Sequence, residues 1–479
     1  MTNKPKAALR EMVMIEALAQ LALDPAAPEH WIDGGFEPLY AMSWRDCEEA
    51  QMAALRQRFA RFHGAVPAFD KLAAKEGITN VDAIEDVLPL LFDHRVYKNY
   101  PISLIETRNI PKLHAWLDRL TTHDLSGMDL SGLTMIDHWL DRLDDHGMLV
   151  GTSSGTTGKL SFVPRSRQEF PTWQRSYYEA QRATTGVDAY TDPVETFFPG
   201  YRGGHHMMLK MLSLFNIPAA GGPEHYHTLY QTHIPSDVMS LAGRMQAAED
   251  RGELAKMGLD PALLAAREEM IAQARRREQD LEAWFFKLFE EFRGRRVKLG
   301  GTFADLIRTA RSGIARGLKP AFAPGSFVMT GGGMKGFKDA PDDWEGFVRD
   351  YFGLDRIGMF YGMSEVMSMS PRCTSGNFHI LPVTIPLLFD ADMNLLPRKG
   401  AQTGRYAFYD LMAQTYWGGF ISGDEVTLHW DEDCPCGWKQ PYVGPTIRRY
   451  SEMEGGDDKI TCAGTAQAYN DFLDFVAEG

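Results

Sequence analysis

The eleven residues from Leu149 to Lys159, reading Leu-Val-Gly-Thr-Ser-Ser-Gly-Thr-Thr-Gly-Lys, constrain this chain more than any other stretch. With Met148, the apolar pair Leu149-Val150 reads as a short strand, and the glycines and hydroxyl residues behind it are denser than any hydrophobic core needs. Glycine lets backbone approach an anion closely, consecutive N–H groups in such a turn form an anion-binding nest, and hydroxyls with a lysine complete the donors. The segment therefore reads as a phosphate cradle, with Thr152, Ser153, Ser154, Gly155, Thr156, Thr157 and Gly158 wrapping the anion and Lys159 adding positive charge. A Ser/Thr/Gly surface linker is the alternative reading of this segment.

A Walker loop needs glycine, four residues, then Gly-Lys followed by Ser or Thr. Counted back from Gly158-Lys159, the first glycine falls on Ser153, and the residue after the lysine is Leu160. ATP is still the guest that a cradle of this kind suggests.

The chain of 479 residues is long enough for two or more structural units around a buried core. Its hydrophobic share of 44% and charged share of 24% are those of a soluble globular protein. A net charge of −14, with no basic run denser than Arg275-Arg276-Arg277, speaks against nucleic acid as a partner. Charges interrupt Met1 to Leu23, so this stretch reads as an amphipathic helix and not as a signal peptide or membrane span. Five cysteines, an odd number, argue for a reducing compartment, and the cytoplasm is expected.

Four regions are expected. Residues 1–147 are mainly helical. Residues 148–404 alternate short apolar runs, glycine-rich turns and helices, which is the α/β pattern, with a helical insertion over 236–292. In that insertion Leu281, Trp284, Phe285, Leu288, Phe289 and Phe292 form an apolar stripe suited to core packing. Residues 405–454 are β-rich, and 455–479 form a tail.

Three further motifs follow the cradle. Tyr361-Gly362-Met363-Ser364-Glu365 ends an apolar run and sets a hydroxyl beside a carboxylate, a donor for a phosphoryl oxygen next to a hard ligand for Mg²⁺. Thr330-Gly331-Gly332-Gly333 is a glycine turn after a strand, and Ser422-Gly423-Asp424 offers a carboxylate able to accept two hydrogen bonds from a ribose, with Arg448 or Arg449 as a second contact.

In this order the motifs resemble those of the adenylate-forming superfamily, the acyl-CoA synthetases and their relatives. The resemblance covers most of residues 50 to 460. It is closest to the branch of phenylacetate-CoA ligases and acyl-protein synthetases, an impression to which Asp86-Val87-Leu88-Pro89-Leu90-Leu91-Phe92 and Tyr97-Lys98 contribute.

The resemblance implies an α/β fold: the large N-terminal domain of the adenylate-forming enzymes, with doubly wound sheets, flanking helices and a small β-rich part. It implies ATP-dependent activation of a carboxylic acid to an acyl-adenylate, with pyrophosphate released. A thiol (CoA, a carrier protein or a protein cysteine) or another nucleophile then takes the acyl group. Ser364 would contact the α-phosphate, Glu365 hold Mg²⁺ and Asp424 grip the ribose, while Gly332 and Gly333, with Tyr361 and Gly362, close over the adenine. Family geometry builds the acyl pocket from segments carrying Tyr201, Arg202, His205, His206 and Phe303, and a modest-sized or aryl acid is expected.

Gly455-Gly456-Asp457-Asp458-Lys459-Ile460 resembles the hinge to the family's mobile C-terminal domain, whose lysine assists adenylation, yet 19 residues follow Ile460. A partner protein supplying that domain, or a non-catalytic ATP-binding relic, are the alternatives; Cys462 is a candidate acyl acceptor.

Cys373, His379, Cys434 and Cys436 offer three thiolates and an imidazole, a set able to close a tetrahedral structural Zn²⁺ site, although Cys-x-Cys is tighter than the usual spacing. Some phenylacetate-CoA-ligase-like proteins are similar here.

Overall fold

The computed structural model describes residues 23–154, 159–259, 261–331, 337–453 and 466–477. Outside them lie most of the expected amino-terminal helix, Gly155, Thr156, Thr157 and Gly158 of the cradle, Gly332 and Gly333, the hinge-like Gly455–Ile460, and Cys462.

Helices open the chain. Ser43 and Asp46 form a reciprocal capping box that starts the helix Trp44–Phe62, and Leu55, Phe59 and Phe62 supply its buried stripe. Phe69 of the next helix, Pro67–Glu76, meets Phe59 edge-on and Trp417 at 4.4 Å, tying this helical layer to the β-rich part. Helix Ala466–Ala477 packs on Pro67–Glu76, with Phe472 stacked on Phe92. Asp86 to Leu90 lie in the 3₁₀ helix Ile84–Leu90, after which Phe92 exchanges backbone hydrogen bonds with Gly419 and Ile421.

Three sheets follow. β1 (Gly151–Ser154) and β2 (Leu160–Val163) form an antiparallel pair flanking the cradle segment. The strands β3 (Glu195–Gly204), β4 (Tyr226–Ile234), β5 (Val297–Gly301), β6 (Phe327–Thr330), β7 (Arg356–Tyr361) and β8 (Ser370–Pro371) form a six-stranded sheet in the order β4-β3-β5-β6-β7-β8. Its first five strands run parallel, and helices connect them, as parallel neighbours require. Two of these, Ser236–Asp250 and Pro261–Glu291, occupy the β4–β5 connection, and Leu281, Phe285, Leu288 and Phe289 of the apolar stripe are buried in the core.

The third sheet is antiparallel: β9 (Phe378–His379), β10 (Thr384–Phe389), β11 (Ala401–Asp410), β12 (Gly419–His429) and β13 (Tyr442–Arg449), in the order β10-β11-β12-β13-β9. It therefore takes in residues from Phe378 onward, ahead of the β-rich boundary read at residue 405, because the fully buried run Thr384–Phe389 pairs with β11. The chain is a mixed α/β protein. Among the described residues no helix is long and apolar enough to cross a membrane.

The β11–β12 turn has no room for a side chain at Gly418, where a Cβ would stand 2.3 Å from the Asp410 carbonyl oxygen. Backbone cannot yield as a flexible side chain does. Gly418→Ala is expected to destabilise the protein by about 1–3 kcal/mol, read as a lower urea midpoint; an unchanged midpoint would show that the turn opens freely.

Candidate active site

Strand order in the parallel sheet reverses at β3, with β4 on one side of it and β5, β6 and β7 on the other. In open parallel sheets the crevice outside the carboxyl ends at such a reversal is where ligands bind. A cavity of about 620 Å³ opens there, lined by Phe198 to Tyr201 of β3, Gly300 and Gly301 of β5, Thr330 of β6, and Gly362 to Ser364 beyond β7. Eight methionines give it a largely apolar and adaptable wall.

Ser364 and Glu365 sit on the turn after β7. That turn is held from beneath by Arg165, a residue no sequence motif singled out. Its guanidinium, 1% exposed, donates to the carbonyls of Ser364 at 2.8 Å and Val366 at 2.9 Å and lies 4.1 Å from the Trp173 ring. Asp410, buried at the end of β11, accepts from the amides of Met367 and Met412, and burial raises its carboxyl to about 6. Glu169 accepts from the amides of Ser166, Gln414 and Thr415. A fixed polar scaffold thus positions an otherwise short loop.

Two motifs far apart in sequence meet directly. The Tyr361 hydroxyl donates to Asp424 Oδ2 at 2.8 Å, joining the end of the parallel sheet to β12. Arg449, opposite Asp424 across the β12–β13 pair, stands 3.5 Å from its other oxygen, whereas Arg448 pairs with Glu425. The side-chain alternation of a strand thus decides between the two arginines. Burial raises the Asp424 carboxyl above its ordinary range, against the pull of Tyr361 and Arg449. Burial raises Glu365 as well, opposed by Arg165 and Arg449.

The cradle's first strand is fixed to β3. The Thr152 amide donates to the His205 carbonyl at 2.7 Å, and a Cβ on Gly151 would meet the Met207 side chain. Ser153 continues β1 between Thr152 and Ser154. Lys159 lies over the Tyr100 ring at 4.5 Å; burial, with Lys98 adding repulsion, lowers its ammonium to about 8.

Of the five candidate pocket residues, Tyr201 and His206 line the cavity, while Arg202, His205 and Phe303 do not. Arg202 donates to the carbonyls of Tyr226 and Pro223, satisfying a loop. The buried His205 joins Asp141, which is exposed, at 2.9 Å and the buried Lys210 at 3.3 Å. Phe303 begins a helix and packs on Trp344 at 4.2 Å. Glycine-rich surroundings in the sequence gave no clue to which way these side chains face.

The thiols converge as well. Ligand atoms of Cys373, His379, Cys434 and Cys436 lie within 4.8 Å of one another. The Cys373–Cys434 sulfur separation of 3.7 Å is far beyond a disulfide bond but matches the edge, about 3.8 Å, of a tetrahedron with Zn–S bonds of about 2.3 Å. Cys436 Sγ is 3.3 Å from His379 Nε2, and burial lowers that imidazole to about 4, so it is neutral and free to ligate. The cluster joins β9 to the β12–β13 connection, and Phe378 beside it packs on Tyr361.

No family model matches the sequence, and no curated protein matches it. Among solved structures, the chain is similar to a 2-hydroxyisobutyryl-CoA ligase in complex with 2-HIB-AMP and CoA, at 12% identity over 86% of this chain and 77% of that one, with a TM-score of 0.49. It is also similar to an anthranilate-CoA ligase, AuaEII, in complex with anthranoyl-AMP, at 11% identity over 64% of this chain and 48% of that one, TM-score 0.37. The amide bond synthetase McbA from Marinactinospora thermotolerans gives 15% identity, 64% and 49% coverage, and a TM-score of 0.34. The chain thus spans about half the length of the last two proteins.

Removing Arg165 leaves two inward-facing carbonyls without their donor. Arg165→Met is expected to destabilise the protein by about 2–5 kcal/mol in urea denaturation, and Arg165→Lys, which keeps the charge but loses the fork, by less.

Proposed function

We propose that this protein is an adenylate-forming ligase, which activates a carboxylic acid with ATP and passes the acyl group to a thiol. The observation that carries the reading is the Tyr361–Asp424 hydrogen bond, which joins motifs 63 residues apart beside the Ser364 turn at the rim of an apolar cavity. In this reading a phosphate contact (Ser364), a metal-competent carboxylate (Glu365) and a ribose-competent carboxylate (Asp424) would serve one nucleotide.

A carboxylate is a poor electrophile because its charge repels nucleophiles and oxide is a poor leaving group. Attack of a carboxylate oxygen on the α-phosphorus of ATP forms a new P–O bond, breaks the bond to the β-phosphate oxygen and expels pyrophosphate. The resulting mixed anhydride can be attacked by a thiol, which releases AMP. The protein's part is positioning and charge neutralisation.

In this reading Ser364 orients the α-phosphate, Asp424 accepts the ribose hydroxyls with Arg449 beside it, and residues 152–159 enclose the outer phosphates. Glu365, a hard oxygen donor next to Ser364 on the turn, fits Mg²⁺, which when bound supplies positive charge to the triphosphate. We place the acyl group in the methionine-walled cavity. The Cys/His cluster fits structural zinc and favours the phenylacetate-CoA-ligase-like branch. The free thiols of Cys47, Cys373, Cys434 and Cys436 suit the cytoplasm.

The direct test is incubation with Mg-ATP and a panel of acids, with hydroxylamine as trap. AMP with a hydroxamate is expected for a productive acid, and Glu365→Gln should slow it by about a hundredfold while leaving the unfolding midpoint in place. Near-full activity in that variant would remove Glu365 from the site, and ADP in place of AMP would overturn the adenylation itself.

The acid limb of the rate profile carries a second expectation. Both Glu365 and Asp424 are raised and act ionised, so the rate should rise with pH through a value above the ordinary carboxylate range and fall below it.

For the metal, elemental analysis of the purified protein should find about one zinc per chain. Cys434→Ser should lose the metal and lower the unfolding midpoint. Protein free of zinc, with a stability that chelators do not change, would refute the site.

A further inference from the structure

The cavity that we assign to the acyl group contains a charge the adenylation chemistry does not use. Lys298, on β5, lines its wall and is 2% exposed. Its ammonium donates to Gln181 Oε1 at 2.6 Å, Asn216 Oδ1 at 2.7 Å and the Tyr177 hydroxyl at 3.3 Å. These three neutral acceptors match its three donors, so hydrogen bonding is satisfied. Charge is not.

Among the described residues no carboxylate forms an ion pair with Lys298. The charged groups on neighbouring elements are engaged elsewhere. Glu195 of β3 holds Arg295, His225 and His227, Glu179 holds Arg182, and Lys210 holds Asp144. Within the cavity wall, Arg277 is paired with Asp305 at 2.8 Å, and Arg165 is anchored to the turn carbonyls. An ammonium in a low-dielectric site without a counter-ion is costly unless something charged arrives to face it.

Register puts this charge deep. Lys298 is level with Phe327 of β6, which is level with Arg356 of β7, five residues before Tyr361. At about 3.3 Å per residue, its backbone lies roughly 16 Å below the level of the Tyr361 rim, with apolar side chains between. The far end of a bound acid, and not its reacting carboxylate, would lie near Lys298.

Resting on the acid activation proposed above, we propose that the cavity selects an acid with a second negative charge at its far end, a dicarboxylate with an apolar spacer, and that Lys298 is the specificity-determining counter-ion.

Burial lowers the Lys298 ammonium to about 7, so in the ligand-free protein it is mostly neutral at pH 8. An anion at the floor restores the charged form. Binding of a dianion at pH 8 should therefore take up close to one proton, roughly 0.9 for a group of that pKa.

The experiment compares octanedioate and decanedioate with octanoate and decanoate, in wild type, Lys298→Met and Lys298→Gln. Calorimetry at pH 8 in buffers of different ionisation heat reads affinity and proton uptake without requiring turnover, and the hydroxamate assay reads kcat/KM. The diacid is expected to bind at least about tenfold more tightly than its monoacid in the wild type, with proton uptake, and the ratio should fall to about one in both variants.

Equal or weaker binding of the diacids by the wild type overturns the proposal, as does a selectivity that survives loss of the ammonium. The wild-type comparison stands even if a variant does not fold. Turnover of acids without diacid preference leaves adenylation standing and removes the role of Lys298, whereas diacid binding with proton uptake but no AMP keeps Lys298 and removes adenylation.

Discussion

One buried guanidinium sets the geometry on which the candidate site depends. Arg165 supports the turn after β7 at two carbonyls, so Ser364 and Glu365 are presented by a loop with fixed ends. A lysine cannot reproduce this, because a point charge lacks the planar fork that meets two acceptors at once. The acids around it complete the support: Asp410 and Glu169 accept amides from the segments that pass under the turn. The Arg165 terminal nitrogens and both carboxylates have hydrogen-bond partners, which lowers the cost of holding them inside the core, although Arg165 Nε itself has none among the described residues.

On that support two sheets of different kinds meet. The parallel sheet brings its carboxyl ends to one edge, and the reversal of its strand order at β3 opens a crevice there, beside β5. The antiparallel sheet delivers Asp424 and Arg449, from adjacent strands, to the Tyr361 end of β7. Tyr361 bridges the two, and Phe378, next to the Cys/His cluster, backs its ring. A cross-link among those thiols and His379 would therefore stiffen the antiparallel sheet close to Tyr361.

Sequence reading reached the elements whose signal is local. The cradle segment, the Tyr-Gly-Met-Ser-Glu turn, the Ser-Gly-Asp element and the cysteine spacing were visible because glycine, hydroxyl and thiol residues are rarely placed in such patterns for packing alone. It did not reach Arg165 or Lys298, which stand singly in strands or at strand ends and become distinctive only by burial. Arg202, His205 and Phe303 lie outside the cavity wall. Neighbouring residues on an irregular strand end point in different directions, and only the packing around each decides whether it faces a cavity, a loop carbonyl or the core.

The sequence by itself determined the α/β character and the residue types of the candidate site, since hydrophobic periodicity and turn chemistry are local properties. The tertiary structure alone decided that Tyr361 meets Asp424, that Arg449 and not Arg448 shares its face, and that four ligand-competent atoms converge. It also decided that Lys298 is buried in the cavity wall against three neutral hydrogen-bond acceptors. Those outcomes depend on register and on long-range packing, and the physical reason is that distance, burial and electrostatic environment are set by neighbours hundreds of residues away along the chain.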